Sequence, residues 1–141
     1  MYSFERLIRE HKAIGVLAGE LMRAAQGAAD AEGGRRALSA LATELCDHLA
    51  NEDADIYPLL ILSKDEGAAA MARDAIAVHQ SLAADFTAYA AHWTQDAIAA
   101  DWERFADATD GLMQRLGNRI RTENELLYPL ALRAAHISLR G

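Results

Sequence analysis

His48-Leu49-Ala50-Asn51-Glu52-Asp53-Ala54-Asp55-Ile56-Tyr57-Pro58-Leu59 is answered later in the chain by Arg119-Ile120-Arg121-Thr122-Glu123-Asn124-Glu125-Leu126-Leu127-Tyr128-Pro129-Leu130. In both copies a Glu precedes Tyr-Pro-Leu by the same distance, and the chain's two prolines hold the same place in each. On a helix, His48 and Glu52 are separated by about 400° of rotation and about 6 Å of rise, so both project from one face. One helix can then offer an imidazole and a carboxylate to the same metal ion. The second copy keeps its Glu but has Arg119 in place of the His.

Around these copies the chain is rich in alanine, poor in β-branched runs and interrupted by three stretches of turn character, which predicts an all-helical protein. Four helices are expected. The first runs from about Ser3 to Gln26 and stops in a glycine-bearing turn; the second runs from about Gly34 to Leu62. The third follows Ser63–Gly67 and reaches about Trp93, and the fourth starts under a Thr94 or Asp96 cap and runs to about His136. Pro58 and Pro129 should kink or loosen the last turns of helices two and four. Short connections make neighbouring helices antiparallel, so the expected fold is an all-α, up-down-up-down four-helix bundle.

Each predicted helix carries an apolar stripe at three- and four-residue spacing, the seam of a bundle. The stripes are Phe4, Leu7, His11, Ile14, Ala18, Leu21; Leu38, Leu41, Leu45, His48, Glu52, Ile56, Leu59; Ala75, His79, Leu82, Phe86, Tyr89, Trp93; and Phe105, Thr109, Leu112, Leu116, Arg119, Glu123, Leu127, Leu130. His11, His48, Glu52, His79, Arg119 and Glu123 interrupt them, at least one per helix. At about 1.5 Å of rise per residue, these positions can meet at one level of the bundle. Isolated buried charges cost several kcal/mol each, comparable to the whole stability of a small domain, so the group calls for neutralisation. Imidazole with carboxylate is a ligand set for iron, zinc or manganese. The Glu-x-x-His spacing of ferritin-like di-iron bundles is absent from these seams.

Composition narrows the partners. With 141 residues and 52% hydrophobic content, the chain fits one domain, 1–141, with a core of its own. A single cysteine, Cys46, excludes an intramolecular disulfide framework and suits a reducing compartment. The charged N-terminal stretch has no apolar run suited to a signal peptide or a membrane span, so a cytoplasmic location is expected, with no membrane partner. The net charge of −7 and the lack of a basic cluster argue against nucleic acid. Nothing in the sequence identifies a protein partner.

The chain resembles the hemerythrin-like family, also called the HHE cation-binding domain, over essentially its full length. That family is marked by a His, then His-x-x-x-Glu followed by an aromatic residue and Pro, then the same elements again. His11 matches the first element, His48 and Glu52 the second, His79 the third and Glu123 the glutamate of the fourth. Arg119 stands where the last His belongs. The offsets agree, 71 residues from position 48 to 119 and 68 from 11 to 79. The resemblance implies a bundle around a non-haem di-iron centre, with bridging glutamates and histidines divided between the ions. It also implies oxygen binding, iron handling, or sensing of oxygen, iron or nitrogen oxides.

Arg119 alters that expectation. A guanidinium is permanently charged and has no lone pair to give, so it cannot ligate a metal and repels a cation beside it. The implied ion on His11, His48, Glu52 and Glu123 keeps its ligands, while the one relying on His79 lacks one. A mononuclear site ranks first, with one iron, or zinc or manganese, serving sensing or metal handling rather than multi-turnover catalysis and open to dioxygen or another small diatomic. A metal-free interaction or regulatory module, in which Arg119 replaces a cation, ranks second. A di-iron oxygen-binding or oxidoreductase centre ranks third and needs Arg119 to snorkel outwards. Tyr57 and Tyr128, turned about 140° from their glutamates on a regular helix, are expected to pack beside the seam. Trp93 and Trp102 should close one end of the bundle, His92 and His136 should lie at the surface, and Cys46 should be a buried or partly buried thiol.

Overall fold

The computed structural model describes residues 4–140, with side chains described as far as Ala134. All secondary structure among them is helical: α1 (Phe4–Gln26), α2 (Ala31–Asn51), a π turn (Glu52–Ile56), α3 (Tyr57–Ile61), α4 (Glu66–His79), α5 (Leu82–His92), α6 (Gln95–Ala100), α7 (Trp102–Thr122), a second π turn (Glu123–Leu127) and α8 (Tyr128–Arg140). No described helix is long and apolar enough to cross a membrane.

Side-chain caps set several of these starts. The Asp30 carboxylate accepts from Gly33 N, so the second helical stretch begins at Ala31 and takes Gly33 and Gly34 into its first turn. Gly34 is there for close approach, since a Cβ would stand 3.3 Å from the Phe105 ring. Asp65 caps α4 through Ala68 N. Thr94 caps only the short α6, and Asp101, accepting from Arg104 N, starts the long α7. The expected fourth helix is thus two, divided at Asp101.

The expected third helix is also two. It breaks at Gln80 and Ser81, directly after His79, where two arginines of α7 hold the break: Arg119 Nη1 donates to the His79 carbonyl at 3.3 Å, in place of a helical hydrogen bond, and Arg115 Nη2 donates to Ser81 Oγ at 3.1 Å. Basic side chains commonly satisfy the last carbonyls of a helix in this way. Before the break, α4 buries Ala69, Ala72 and Ile76; after it, Leu82, Phe86, Tyr89 and Trp93 follow the predicted stripe.

Helix α1 lies along α2 and α7, α2 also meets α5 and α6, α3 packs on α4 and α8, and both α4 and α5 touch α7. Two apolar clusters result. The larger gathers residues such as Ile14, Leu21, Leu41, Leu45, Phe86 and Phe105, with Trp93 edge-on and Trp102 tilted against Phe105. The smaller contains Leu7, Ile56, Leu60, Ile76, Leu127 and Ala131. Along α1 the order is Leu7, His11, Ile14, and along the second stretch it is Leu45, His48, Glu52, Ile56, all buried. Polar residues therefore form a layer with apolar packing above and below.

Candidate metal centre

His11, His48, Glu52 and Glu123 converge in that layer. All four are buried, and one potential ligand atom from each lies within 4.8 Å of the others; this is the group of its kind found among the described residues. Stacked turns of the predicted seams bring them to one level. His79 stands apart, only half-buried, with its Nε2 3.3 Å from Thr122 Oγ1.

The two π turns carry the glutamates. Tyr57 N–H bonds to the Glu52 carbonyl and Tyr128 N–H to the Glu123 carbonyl, five residues back in each case. Pro58 and Pro129 come next; in a regular helix each ring would meet the carbonyl four residues earlier, and the wider turn accommodates it. A five-residue turn also brings the tyrosine back to its glutamate's face. The expectation that Tyr57 and Tyr128 pack beside the seam is therefore corrected. Tyr57 OH donates to Glu123 Oε2 at 2.6 Å, and Tyr128 OH donates to Glu52 Oε2 at 3.1 Å, so each repeat's tyrosine serves the other repeat's glutamate. Tyr128 OH also lies 2.8 Å from His11 Nε2.

Outer partners orient both imidazoles. His48 Nδ1 is 2.8 Å from Glu10 Oε1, and His11 Nδ1 is 2.8 Å from Asn124 Oδ1. Both partners are acceptors; Nδ1 of His48 carries the hydrogen and its Nε2 turns a lone pair inward, while His11 Nε2 is hydrogen-bonded to Glu123 Oε1 at 3.0 Å. Neither Glu10 nor Asn124 was singled out in the sequence. The signal was available: Glu10 precedes His11 and Asn124 follows Glu123, so each flanks a seam residue.

The carboxylates titrate as a pair. Burial, with the hydrogen bond and charge of Glu123, raises Glu52 well above the ordinary range and favours its protonated form. Burial pushes Glu123 upward too, but hydrogen bonds from Glu52, His11 and Tyr57 and the charge of Arg119 outweigh it and hold Glu123 as the carboxylate. Tyr57 and Tyr128 are raised far above ordinary tyrosine by burial and by the two glutamates, and stay protonated. One contact departs from a hydrogen-bonded network. His48 Nε2 and Glu52 Oε1 are 2.7 Å apart, yet Glu52 Oε1 has no hydrogen-bond partner, since the His48 hydrogen is on Nδ1, towards Glu10. Once Glu52 gives up its proton, these are two lone-pair atoms close enough to share a cation, and the residues present fit one.

Arg119 is 1% exposed and does not snorkel. Its Nε donates to Glu123 Oε2 at 3.1 Å, and its guanidinium stands 5.1 Å from the Tyr57 ring centre. Burial works against its charge, and Glu123, Tyr57 and Glu52 more than restore it. His79 is pushed below ordinary histidine, first by burial and then by the positive charge of Arg119. Cys46 is exposed, contrary to expectation, because its neighbours on the buried face are Leu45 and Leu49. His92 is exposed as expected, and the side chain of His136 lies outside those described.

No curated protein and no solved structure matches the chain. The family profile of the hemerythrin HHE cation-binding domain matches residues 3–131. With that match spanning nearly the whole sequence, and with buried His and Glu residues at the motif positions able to hold a cation, the chain belongs to the hemerythrin HHE cation-binding domain family.

Proposed function

We propose that this chain is a mononuclear metal-binding member of the family, with one iron held by His11, His48, Glu52 and Glu123, in a single cytoplasmic domain whose helices form an antiparallel up-down-up-down bundle. The observation that carries this reading is the pair His48 Nε2 and Glu52 Oε1, 2.7 Å apart with no hydrogen bond between them, while His48 Nδ1 is committed to Glu10. A bound iron supplies an open coordination position for a small ligand and a one-electron couple, chemistry suited to sensing oxygen or redox state or to handling iron. The chain's own groups do the rest. Glu10 and Asn124 fix the imidazoles, Tyr57 and Tyr128 hold the carboxylates, and the apolar clusters on either side limit water. Arg119 stands in for a second cation beside Glu123 and turns the ligand set into one for a single ion.

Metal analysis after expression in iron-supplemented medium tests the reading, with about one ion per chain expected and a lower melting temperature on chelation. Two irons per chain with oxo-bridge absorption would overturn it. A second reading has support of its own, because Arg119 with Glu123, and Glu52 with its retained proton, already approach charge balance. It describes a metal-free interaction or regulatory module, and predicts no metal above background and a melting temperature indifferent to chelator.

A further inference from the structure

We propose that Arg119 makes the centre a receptor for a small oxyanion of single charge, one atom of which occupies the gap between Arg119 Nη2 and Glu52 Oε1, beside the bound cation. This rests on the single-cation reading above and names the ligand class of that site.

The gap is marked by two orphaned atoms. Among the described residues, the buried side-chain nitrogens and oxygens without a hydrogen-bond partner are Glu52 Oε1 and Arg119 Nη2, and they lie 3.8 Å apart. The rest of the guanidinium is engaged, with Nε on Glu123 and Nη1 on the His79 carbonyl. Nη2 has only Glu52 Oε1 and, at 3.7 Å, Asp53 Oδ1 near it, both beyond hydrogen-bond reach. Leaving a buried charged donor unmade costs about 1–3 kcal/mol or more, so an acceptor that fills the gap is favoured. Two atoms 3.8 Å apart can both lie about 2.9 Å from a third. A ligand atom at that point would accept from Nη2–H while it neighbours a cation on Glu52.

Charge selects the class. A divalent ion balances the two glutamates and leaves the guanidinium without a buried counter-ion. Asp53 does not fill that role, because its side chain is 54% exposed and water screens it. A single negative charge at Nη2 cancels the excess; a neutral diatomic does not. Oxygen suits the donor, since guanidinium to oxyanion is among the stronger charge-assisted hydrogen bonds, and the anchored Nε and Nη1 hold Nη2 in place in advance. A cavity of about 90 Å³ lined by His79, Leu82, Arg115 and Asn118 adjoins the residue whose carbonyl Arg119 holds, and it places a second guanidinium near its wall.

The test uses the full chain loaded with cobalt(II), whose d–d absorption reports its ligands, titrated with formate and with the neutral isostere formamide. Wild type should give a saturable formate response, and formamide should bind at least tenfold more weakly. Arg119→Gln should weaken formate about 10- to 100-fold, the factor expected for one charge-assisted hydrogen bond, and change formamide less than threefold. Arg119→Lys, retaining the charge without the fork, should fall between. Equal formate affinity in wild type and Arg119→Gln, both with one cobalt per chain, overturns the proposal while leaving the single-cation reading standing. A metal-loaded wild type with no saturable formate response overturns it without any variant. Failure of wild type to hold cobalt, zinc or iron removes the reading and this proposal together.

Discussion

Arg119 is the bulkiest side chain fully buried in the described structure, and it sits on a seam where a helix of this composition would otherwise place leucine. Its position follows from the chemistry around it. Glu123 one turn away, the His79 carbonyl across the interface and the Tyr57 face each compensate part of its lost hydration. Replacing it by His returns a lone-pair donor to the seam. Arg119→His should raise metal content from one towards two per chain, read by elemental analysis of the purified protein. No change would mean that His79, turned to Thr122 Oγ1, limits the second position instead. A second prediction concerns Glu10. Because it fixes the His48 ring through Nδ1, Glu10→Gln should lower metal affinity about 10- to 100-fold in a chelator competition, and an unchanged affinity would deny the carboxylate that role.

At the scale of elements, the π turns decide where the tyrosines point, and through them how the glutamates are held. Removing one residue from the first turn should restore α-helical spacing there, leaving Tyr57 four residues after Glu52 and on the same face but setting the Pro58 ring against the carbonyl four residues before it. Deletion of the exposed Ala54 is therefore expected to lower the melting temperature by several degrees through the Pro58 clash while metal is retained, whereas Ala54→Gly, which keeps the wide turn, should change the melting temperature less. Metal content and thermal unfolding of the two variants decide it. These turns explain what was legible in the sequence. The seam spacing placed His11, His48, Glu52 and Glu123 on buried faces, because helical period and hydrophobic alternation are local properties. It placed the tyrosines wrongly, since a widened turn changes the period by one residue and only the following proline hints at it. The break after His79 was hidden for a different reason. No glycine or proline marks it, and the groups that stabilise it, Arg115 and Arg119, come from a helix far along the chain. Cys46, expected to be a buried or partly buried thiol, is exposed because Leu45 and Leu49 take the core face of that turn.

For the molecule as a whole, the carboxylate pair ties stability to pH. Glu52 is raised in the folded metal-free protein, so the stability from its retained proton is full below the ordinary glutamate range and is lost as pH climbs towards the raised value. Glu123 is lowered, so its contribution is present above the ordinary range and is lost as pH falls towards its depressed value. Metal must expel the Glu52 proton. Loading should therefore tighten as pH rises through the raised Glu52 range, measured by chelator competition across pH; an affinity indifferent to pH would contradict the assignment. The layered arrangement has a further consequence. With a polar stratum between them, the two apolar clusters share few contacts of the kind that make unfolding all-or-none. The smaller one, built around Leu60, Ile76 and Leu127, can then open as a separate cooperative unit while the larger stays closed. An ion gripping helices from both sides rivets the units together. Amide hydrogen exchange should show 57–76 protected far less than 38–49 in the metal-free protein, with the difference closing on loading, so that occupancy of the centre is written into the mobility of a surface well away from it.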